Sequence, residues 1–185
     1  MPPATPRWRE RLALAAYGGL LRLATPLYLA RLWWRGAREP GYRQALPERL
    51  ALGGPAAPAG AVWLHAVSLG ETKAAAALVD ALRARCPGVR LLLTHGTATG
   101  REAGRALLRE GDLQTWLPFD TPGAVRRFLR RHRPALGVLM ETEVWPGLLD
   151  AAAEARLPVV LANARLSERS RSEEHTSELQ SQSTI

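Results

Sequence analysis

The sequence predicts an α/β fold in which a parallel sheet is flanked by helices and preceded by a long apolar helix. Between residues 61 and 162, short apolar segments alternate with helical segments of about 10–15 residues, a spacing typical of βαβ units with right-handed crossovers. Residues 135–140 and 158–162 are continuous apolar runs, as expected of strands buried on both faces of a sheet. A chain of 185 residues, 46% of them apolar, is long enough for one domain with a full core.

The predicted elements alternate strictly along this part of the chain. We predict strands at 61–67, 89–94, 113–117, 135–140 and 158–162, and helices at 70–85, 99–110, 122–132 and 146–156. This order is that of a Rossmann-like parallel sheet, and we assign residues 61–170 to the domain that contains it.

The N-terminal region predicts a membrane-associated helix. Residues 11–34 are apolar over more than the roughly 20 residues that cross a bilayer core, but Arg22 and Pro26 interrupt them. We expect a helix within residues 1–36, kinked near Pro26, that lies in or dips into one leaflet, with Trp33 and Trp34 at the headgroups. An ordinary amphipathic core helix is the alternative. A basic segment and a Gly/Pro/Ala linker follow at 37–60.

The charge of the chain favours anionic partners. The net charge is +8, and Lys73 is the single lysine among 25 basic residues. This balance favours an anionic membrane surface or phosphorylated substrates. Nucleic acid is not expected, because zinc-finger spacings, RNP-like aromatic runs and basic blocks are absent from the sequence. The single Cys86 excludes an internal disulfide, and the four isolated histidines predict no metal site.

Polar residues follow each predicted strand. Because the carboxyl ends of parallel strands share one edge of the sheet, where ligands bind, we expect these residues to form a single site. The candidate substrate-binding residues are Ser68, Gly70, Thr94, Thr97, Thr99, Asp120, Glu141, Glu143 and Arg165, and the candidate catalytic residue is Glu71.

Each candidate also has a purely structural interpretation. Glu71 lies in the first turn of a predicted helix, where a carboxylate stabilises the helix dipole by roughly 0.3–1 kcal/mol. Asp120 could cap the helix that begins at Pro122. The loop 94–100 lacks the lysine of a phosphate loop and the GxGxxG spacing, so it could be a plain capping loop. Arg165 could pair with a carboxylate of the same edge.

Three motifs resemble the 3-deoxy-D-manno-octulosonic acid (Kdo) transferases of lipopolysaccharide synthesis. They are WLHAVSLGE at 63–71, ETEVWP at 141–146 and NARLSERS at 163–170, and RLWWRG at 31–36 is similar to the membrane-proximal start of that family. The resemblance covers residues 17–170. It implies the N-terminal, acceptor-binding domain of a two-domain GT-B glycosyltransferase, with the CMP-Kdo-binding domain second and with no metal or cofactor in the chemistry.

The resemblance also implies a reaction and roles for residues. Such an enzyme transfers Kdo from CMP-Kdo to the glucosamine disaccharide of a lipid A precursor at the cytoplasmic face of the inner membrane. Glu71 occupies the position of the family's proposed general base, and Glu141 that of a site residue. The family has Asn after Trp-Pro, whereas this chain has Gly147. The alternative from the residues alone is a non-catalytic, membrane-docked module that binds a lipid or a phosphosugar.

The last residues differ in composition from the rest of the chain. Residues 171–185 contain no Gly, Ala or Pro and many Ser, Glu and Gln, and they resemble the translation of a sequencing-library adapter. We interpret this segment as a non-native, disordered tail. The donor-binding half would then be missing, and the chain would be a fragment that is inactive by itself.

Overall fold

The structure is a computed structural model that describes residues 7–140 and 145–162. It begins with one long helix and continues as alternating strands and helices. The helices are α1 Arg7–Arg35, α2 Leu69–Arg85, α3 Ala98–Gly104, α4 Pro122–His132 and α5 Pro146–Glu154. The strands are β1 Val62–His65, β2 Leu91–His95, β3 Leu113–Trp116, β4 Leu136–Leu139 and β5 Val159–Leu161. Short 3-10 helices lie at Pro40–Arg43, Leu46–Leu50 and Arg105–Leu107.

The five described strands form one parallel sheet in the order β3-β2-β1-β4-β5. The chain therefore builds one half of the sheet outward from β1 to β3, and then crosses back beside β1 to build the other half with β4 and β5. This is the doubly wound topology, so the predicted α/β fold with a parallel sheet and a preceding apolar helix is confirmed.

The core has two layers because successive side chains of a strand point to opposite faces of the sheet. Trp63 and Leu92 pack on one face with Phe128 of α4 and Leu148 of α5. The other face packs against α2 and α3, and its buried residues include Leu64, Ala66, Ala75, Val79, Leu91 and Leu93. Burial of both faces accounts for the apolar runs that predicted the strands.

One predicted helix is shorter than its sequence indicated. The sequence predicts a helix at 99–110, whereas α3 ends at Gly104 and the chain tightens into the 3-10 helix Arg105–Leu107. Gly104 is buried, and a Cβ atom there would overlap the side chains of His95 and Gln114. The close approach of α3 to the sheet therefore requires glycine at this position, and the segment after it follows tertiary packing rather than helix propensity.

Helix α1 lies across the carboxyl edge of the sheet and is continuous through Pro26. The Tyr17 hydroxyl donates a hydrogen bond of 2.9 Å to Asp120, and the rings of Tyr28 and Phe119 meet edge to face at 5.3 Å. Leu32 is buried against the rest of the chain. Only one narrow face of the helix makes these contacts.

The opposite face of α1 is apolar and exposed. Its large exposed side chains are Leu12, Leu20, Leu23, Leu27 and Trp34. By length and composition Trp8–Arg35 could cross a membrane, although core helices and signal sequences meet the same criterion. Only 6% of its most apolar window is buried.

The segment 37–60 packs against the sheet domain. Tyr42 is buried, and its ring stacks on that of Trp116 at 6.3 Å, while the Arg35 guanidinium lies over the Tyr42 ring at 4.4 Å. Farther along, the Ala57 N–H donates to His132 Nδ1 at 3.1 Å. These contacts connect the end of α1 to β3, so the helix has a fixed position on the domain.

Candidate active site

The β1–α2 turn lies at the point where the strand order of the sheet reverses. β1 pairs with β2 on one side and with β4 on the other. From β2 the sheet continues to β3 at one edge, and from β4 it continues to β5 at the opposite edge. Ligands of doubly wound sheets bind in the crevice that opens at such a point. The turn carries Ser68, Gly70 and Glu71, so the structure places these candidates at the expected edge.

Ser68 and Glu71 form a capping box at the start of α2. The Ser68 Oγ accepts from the Glu71 N–H at 3.4 Å and donates to Glu71 Oε1 at 2.8 Å. Glu71 Oε2 accepts from the Val67 N–H at 2.6 Å. The carboxylate is partly buried, and its orientation is fixed by these two donors. Since a carboxylate can accept about four hydrogen bonds, lone pairs remain for a ligand.

Thr97 binds to the same turn from the neighbouring loop. It is the N-cap of α3: its Oγ1 accepts from the Gly100 N–H at 3.1 Å and donates to the Val67 carbonyl at 2.9 Å. Thr99 is exposed in the first turn of α3, with its hydroxyl 3.4 Å from that of Thr97. Val67 thus links the β1–α2 and β2–α3 turns, because it donates to Glu71 and accepts from Thr97.

Thr94 lies inside the sheet rather than at its rim. Its fully buried hydroxyl accepts from the Trp63 indole N–H at 2.8 Å and lies 2.9 Å from His65 Nδ1. β2 extends one residue beyond the predicted strand, to His95, which explains why Thr94 is enclosed. In the structure this side chain holds Trp63 and His65 in place.

Asp120 connects three parts of the molecule. Its Oδ2 accepts from the Tyr17 hydroxyl at 2.9 Å and from the Gly147 N–H, at the start of α5, also at 2.9 Å. The N-cap position of α4 is held by Thr121, without a side-chain hydrogen bond, so Asp120 caps α5 instead. Burial raises the pKa of Asp120. A Cβ at Gly147 would lie 2.8 Å from Asp120 Oδ1, which gives a steric reason for glycine at this position.

A cavity of about 450 Å³ lies between α1 and the carboxyl edge of the sheet. Thr97 and Asp120 line it from the sheet side, and Tyr17 and Thr25 from α1. Sequence reasoning missed two of its residues, Arg49 and His65, which are both buried. His65 lies within the predicted strand 61–67, so its burial follows from the sequence, whereas the burial of Arg49 depends on contacts with distant segments and nothing in its local sequence indicates it.

Three candidates, Glu141, Glu143 and Arg165, lie outside the described residues. Trp145, which follows the first two, borders the cavity. Among the residues that the structure describes, His, Cys, Asp and Glu side chains form no group of three that could hold a metal ion.

The doubly wound sheet and the polar turns at its carboxyl edge together define a Rossmann-like ligand-binding domain. Comparison with known families matches residues 44–182 to 3-deoxy-D-manno-octulosonic acid transferases. The chain belongs to this family, as the N-terminal domain of a glycosyltransferase. The matched range ends inside the segment 171–185, whose interpretation as a non-native tail stays a prediction.

Individual relatives agree with the family match. The 3-deoxy-D-manno-octulosonic acid transferase of Bordetella pertussis is 52% identical over 147 residues, 74% of this chain and 34% of the relative. That of Haemophilus influenzae is 37% identical over 156 residues, 83% of this chain and 36% of the relative. The chain thus spans about a third of the length of these relatives.

Proposed function

We propose that this chain is the acceptor-binding domain of an enzyme that transfers Kdo from CMP-Kdo to the glucosamine disaccharide of a lipid A precursor. The observation that carries the proposal is the Glu71 carboxylate, held by two donors at the reversal point of the sheet in a chain of this family. We expect a second domain of the intact enzyme to bind most of the CMP-Kdo.

In this mechanism Glu71 is the general base. An acceptor sugar hydroxyl gives its proton to the Glu71 carboxylate as its oxygen bonds to the anomeric carbon of Kdo. The bond from that carbon to the phosphate breaks, and CMP leaves with the electron pair. A sugar hydroxyl is a weak nucleophile, and such proton transfer contributes about 10²–10⁴-fold to the rate. Ser68 and the Val67 N–H orient the base, because each holds one carboxylate oxygen.

The test is transfer by the intact enzyme. With CMP-Kdo and a lipid A precursor, we expect release of CMP and a lipid whose mass has increased by one Kdo residue. Mass spectrometry of the lipid measures this increase. Binding of the lipid without release of CMP would refute the proposal and favour the non-catalytic lipid-binding module.

We further propose that α1 docks the enzyme on the cytoplasmic face of the inner membrane. Its exposed apolar face includes Leu23 and Leu27, each more than three-quarters exposed. Arg22 and Arg31 can approach lipid phosphates from the same helix. An enzyme held in this way reaches the headgroup of an acceptor without extracting its acyl chains.

The membrane proposal predicts a large effect of two substitutions. Leu23→Ser with Leu27→Ser is expected to lower partitioning of the chain into phosphatidylcholine–phosphatidylglycerol vesicles at least about tenfold, because each buried leucine contributes about 1.5–3 kcal/mol. Co-sedimentation measures this. The matched control is Leu149→Ser, an exposed leucine of α5. Equal partitioning of the double variant and the control would contradict docking through this face.

A further inference from the structure

The cavity beneath α1 combines an apolar wall with a buried cation. Leu21 and Leu32 of α1 face Leu117 and Phe119 of the sheet edge across it, and Arg49 lies at its border. Ligand cavities of about 300–1,000 Å³ characteristically have mostly apolar walls and a few polar groups that fix orientation. This cavity has the size and the composition of such a site.

The Arg49 guanidinium has no carboxylate partner among the residues that the structure describes. Arg49 is 4% exposed, its Nη2 donates to the Gly96 carbonyl at 3.3 Å, and its Nε has no partner. The neighbouring carboxylate of Glu48 is bound by Arg101 at 2.7 Å and by the Trp116 N–H at 3.0 Å. Burial lowers the pKa of Arg49 to about 10, so the side chain remains charged at neutral pH.

A second buried arginine shows the usual structural arrangement. Arg83 is 8% exposed and forms an ion pair with Asp112. Desolvating a cation is costly unless an anion and hydrogen bonds compensate. Asp112 provides the compensating anion for Arg83. For Arg49 the described residues provide a carbonyl at 3.3 Å and the face of Trp116 at 3.9 Å, but no carboxylate at ion-pair distance.

The other polar groups of the cavity can form hydrogen bonds with the hydroxyl groups of a ligand that also carries an anion. His65 Nε2 and Asp120 Oδ1 are both buried without a partner, and both residues border the cavity. Burial lowers the pKa of His65 to about 3, so its ring is neutral at pH 7. Asp120 forms no ion pair with Arg49; its Oδ2 accepts from the Tyr17 hydroxyl and the Gly147 N–H instead. Arg31 also borders the cavity and adds positive charge, whereas Arg35, which borders it too, is paired with Glu39 at 3.0 Å.

We propose that this cavity binds the phosphate group of a phosphorylated lipid, with Arg49 as its buried anion receptor and the apolar wall in contact with the start of an acyl chain. A guanidinium matches a phosphate because its planar donors meet two oxygens at once. That this lipid is the acceptor of the transferase rests on the function proposed above. The anion site itself follows from Arg49 and the shape of the cavity.

The test uses the full chain and three probes in isothermal titration calorimetry. The probes are dodecyl phosphate below its critical micelle concentration, the neutral dodecyl glucoside, and inorganic phosphate. We expect dodecyl phosphate to bind one molecule per chain, at least tenfold more tightly than either other probe. Equal binding of the two amphiphiles would overturn the anion site, and equal binding of dodecyl phosphate and inorganic phosphate would overturn the lipid assignment.

Two variants locate the binding. Arg49→Gln is expected to weaken dodecyl phosphate binding at least tenfold, whereas Arg126→Gln, which removes an exposed arginine paired with Glu154, is expected to leave it unchanged. Thr25→Phe, which fills the cavity from α1, is expected to weaken the binding of dodecyl phosphate without removing the Arg49 guanidinium. Unchanged affinity in the folded Arg49→Gln or Thr25→Phe chain would overturn the proposal.

The outcome separates this inference from the proposed function. Arg49-dependent binding of dodecyl phosphate with no Kdo transfer by the intact enzyme would refute the function and support the anion site. Kdo transfer with Arg49-independent binding would refute the anion site and support the function.

Discussion

Replacing Glu71 by Gln is expected to lower the transfer rate of the intact enzyme by about 10²–10⁴-fold, the usual contribution of a general base. Gln keeps the shape of Glu and also forms capping boxes, so the helix start that Glu71 shares with Ser68 should persist. The substitution removes the proton acceptor. We expect the unfolding midpoint to change little while kcat falls.

Ser68→Ala is the matched control for the structural role. It removes the Oγ that caps α2 and orients Glu71 but leaves the carboxylate. The variant should therefore lose about 1 kcal/mol of stability, and its loss of activity should be smaller than that of Glu71→Gln. A Glu71→Gln enzyme with near-normal kcat would reduce Glu71 to a capping residue.

The architecture could be predicted from sequence because its signals are local. Apolar runs mark strands buried on both faces, and prolines such as Pro122 and Pro146 mark helix starts that the structure places at these residues. The polar edge follows from topology, since carboxyl ends of parallel strands lie together. Glu71 therefore falls where the motif predicts.

The missed features depend on contacts between distant residues. Tyr17 and Asp120 are 103 positions apart, and Arg49 is buried only because α1, Trp116 and the β2–α3 turn surround it. A polar, basic segment such as 37–52 gives no local signal of burial. Thr94 is enclosed because β2 continues one residue beyond the predicted strand, to His95, and its role as a substrate-binding residue stays a prediction.

Acidification is expected to destabilise the folded chain steeply, because three histidines are buried as neutral rings. Burial lowers the pKa of His65 to about 3 and those of His95 and His132 to about 4. In the unfolded chain these groups take up protons near pH 6.5, so between about pH 6 and 4.5 the unfolded state binds more protons. Stability is full above pH 6.5 and falls as the pH decreases.

The expected slope is about 4 kcal/mol per pH unit, at about 1.4 kcal/mol for each histidine. Asp120 opposes this trend at the acid end, because its raised pKa favours proton uptake by the folded state. At the lower end of the usual range of stability, about 5 kcal/mol, the chain should unfold near pH 5. Urea unfolding at several pH values, followed by tryptophan fluorescence, measures the slope.

His132→Gln isolates one part of this effect. His132 lies away from the candidate active site, and its Nδ1 accepts from the Ala57 N–H at 3.1 Å, a bond that a Gln side-chain oxygen can also accept. We expect the variant to lose about a third of the slope, because two of the three buried histidines remain. A wild-type slope below about 1 kcal/mol per pH unit would mean that these rings are protonated, and therefore hydrated or paired, in the folded state.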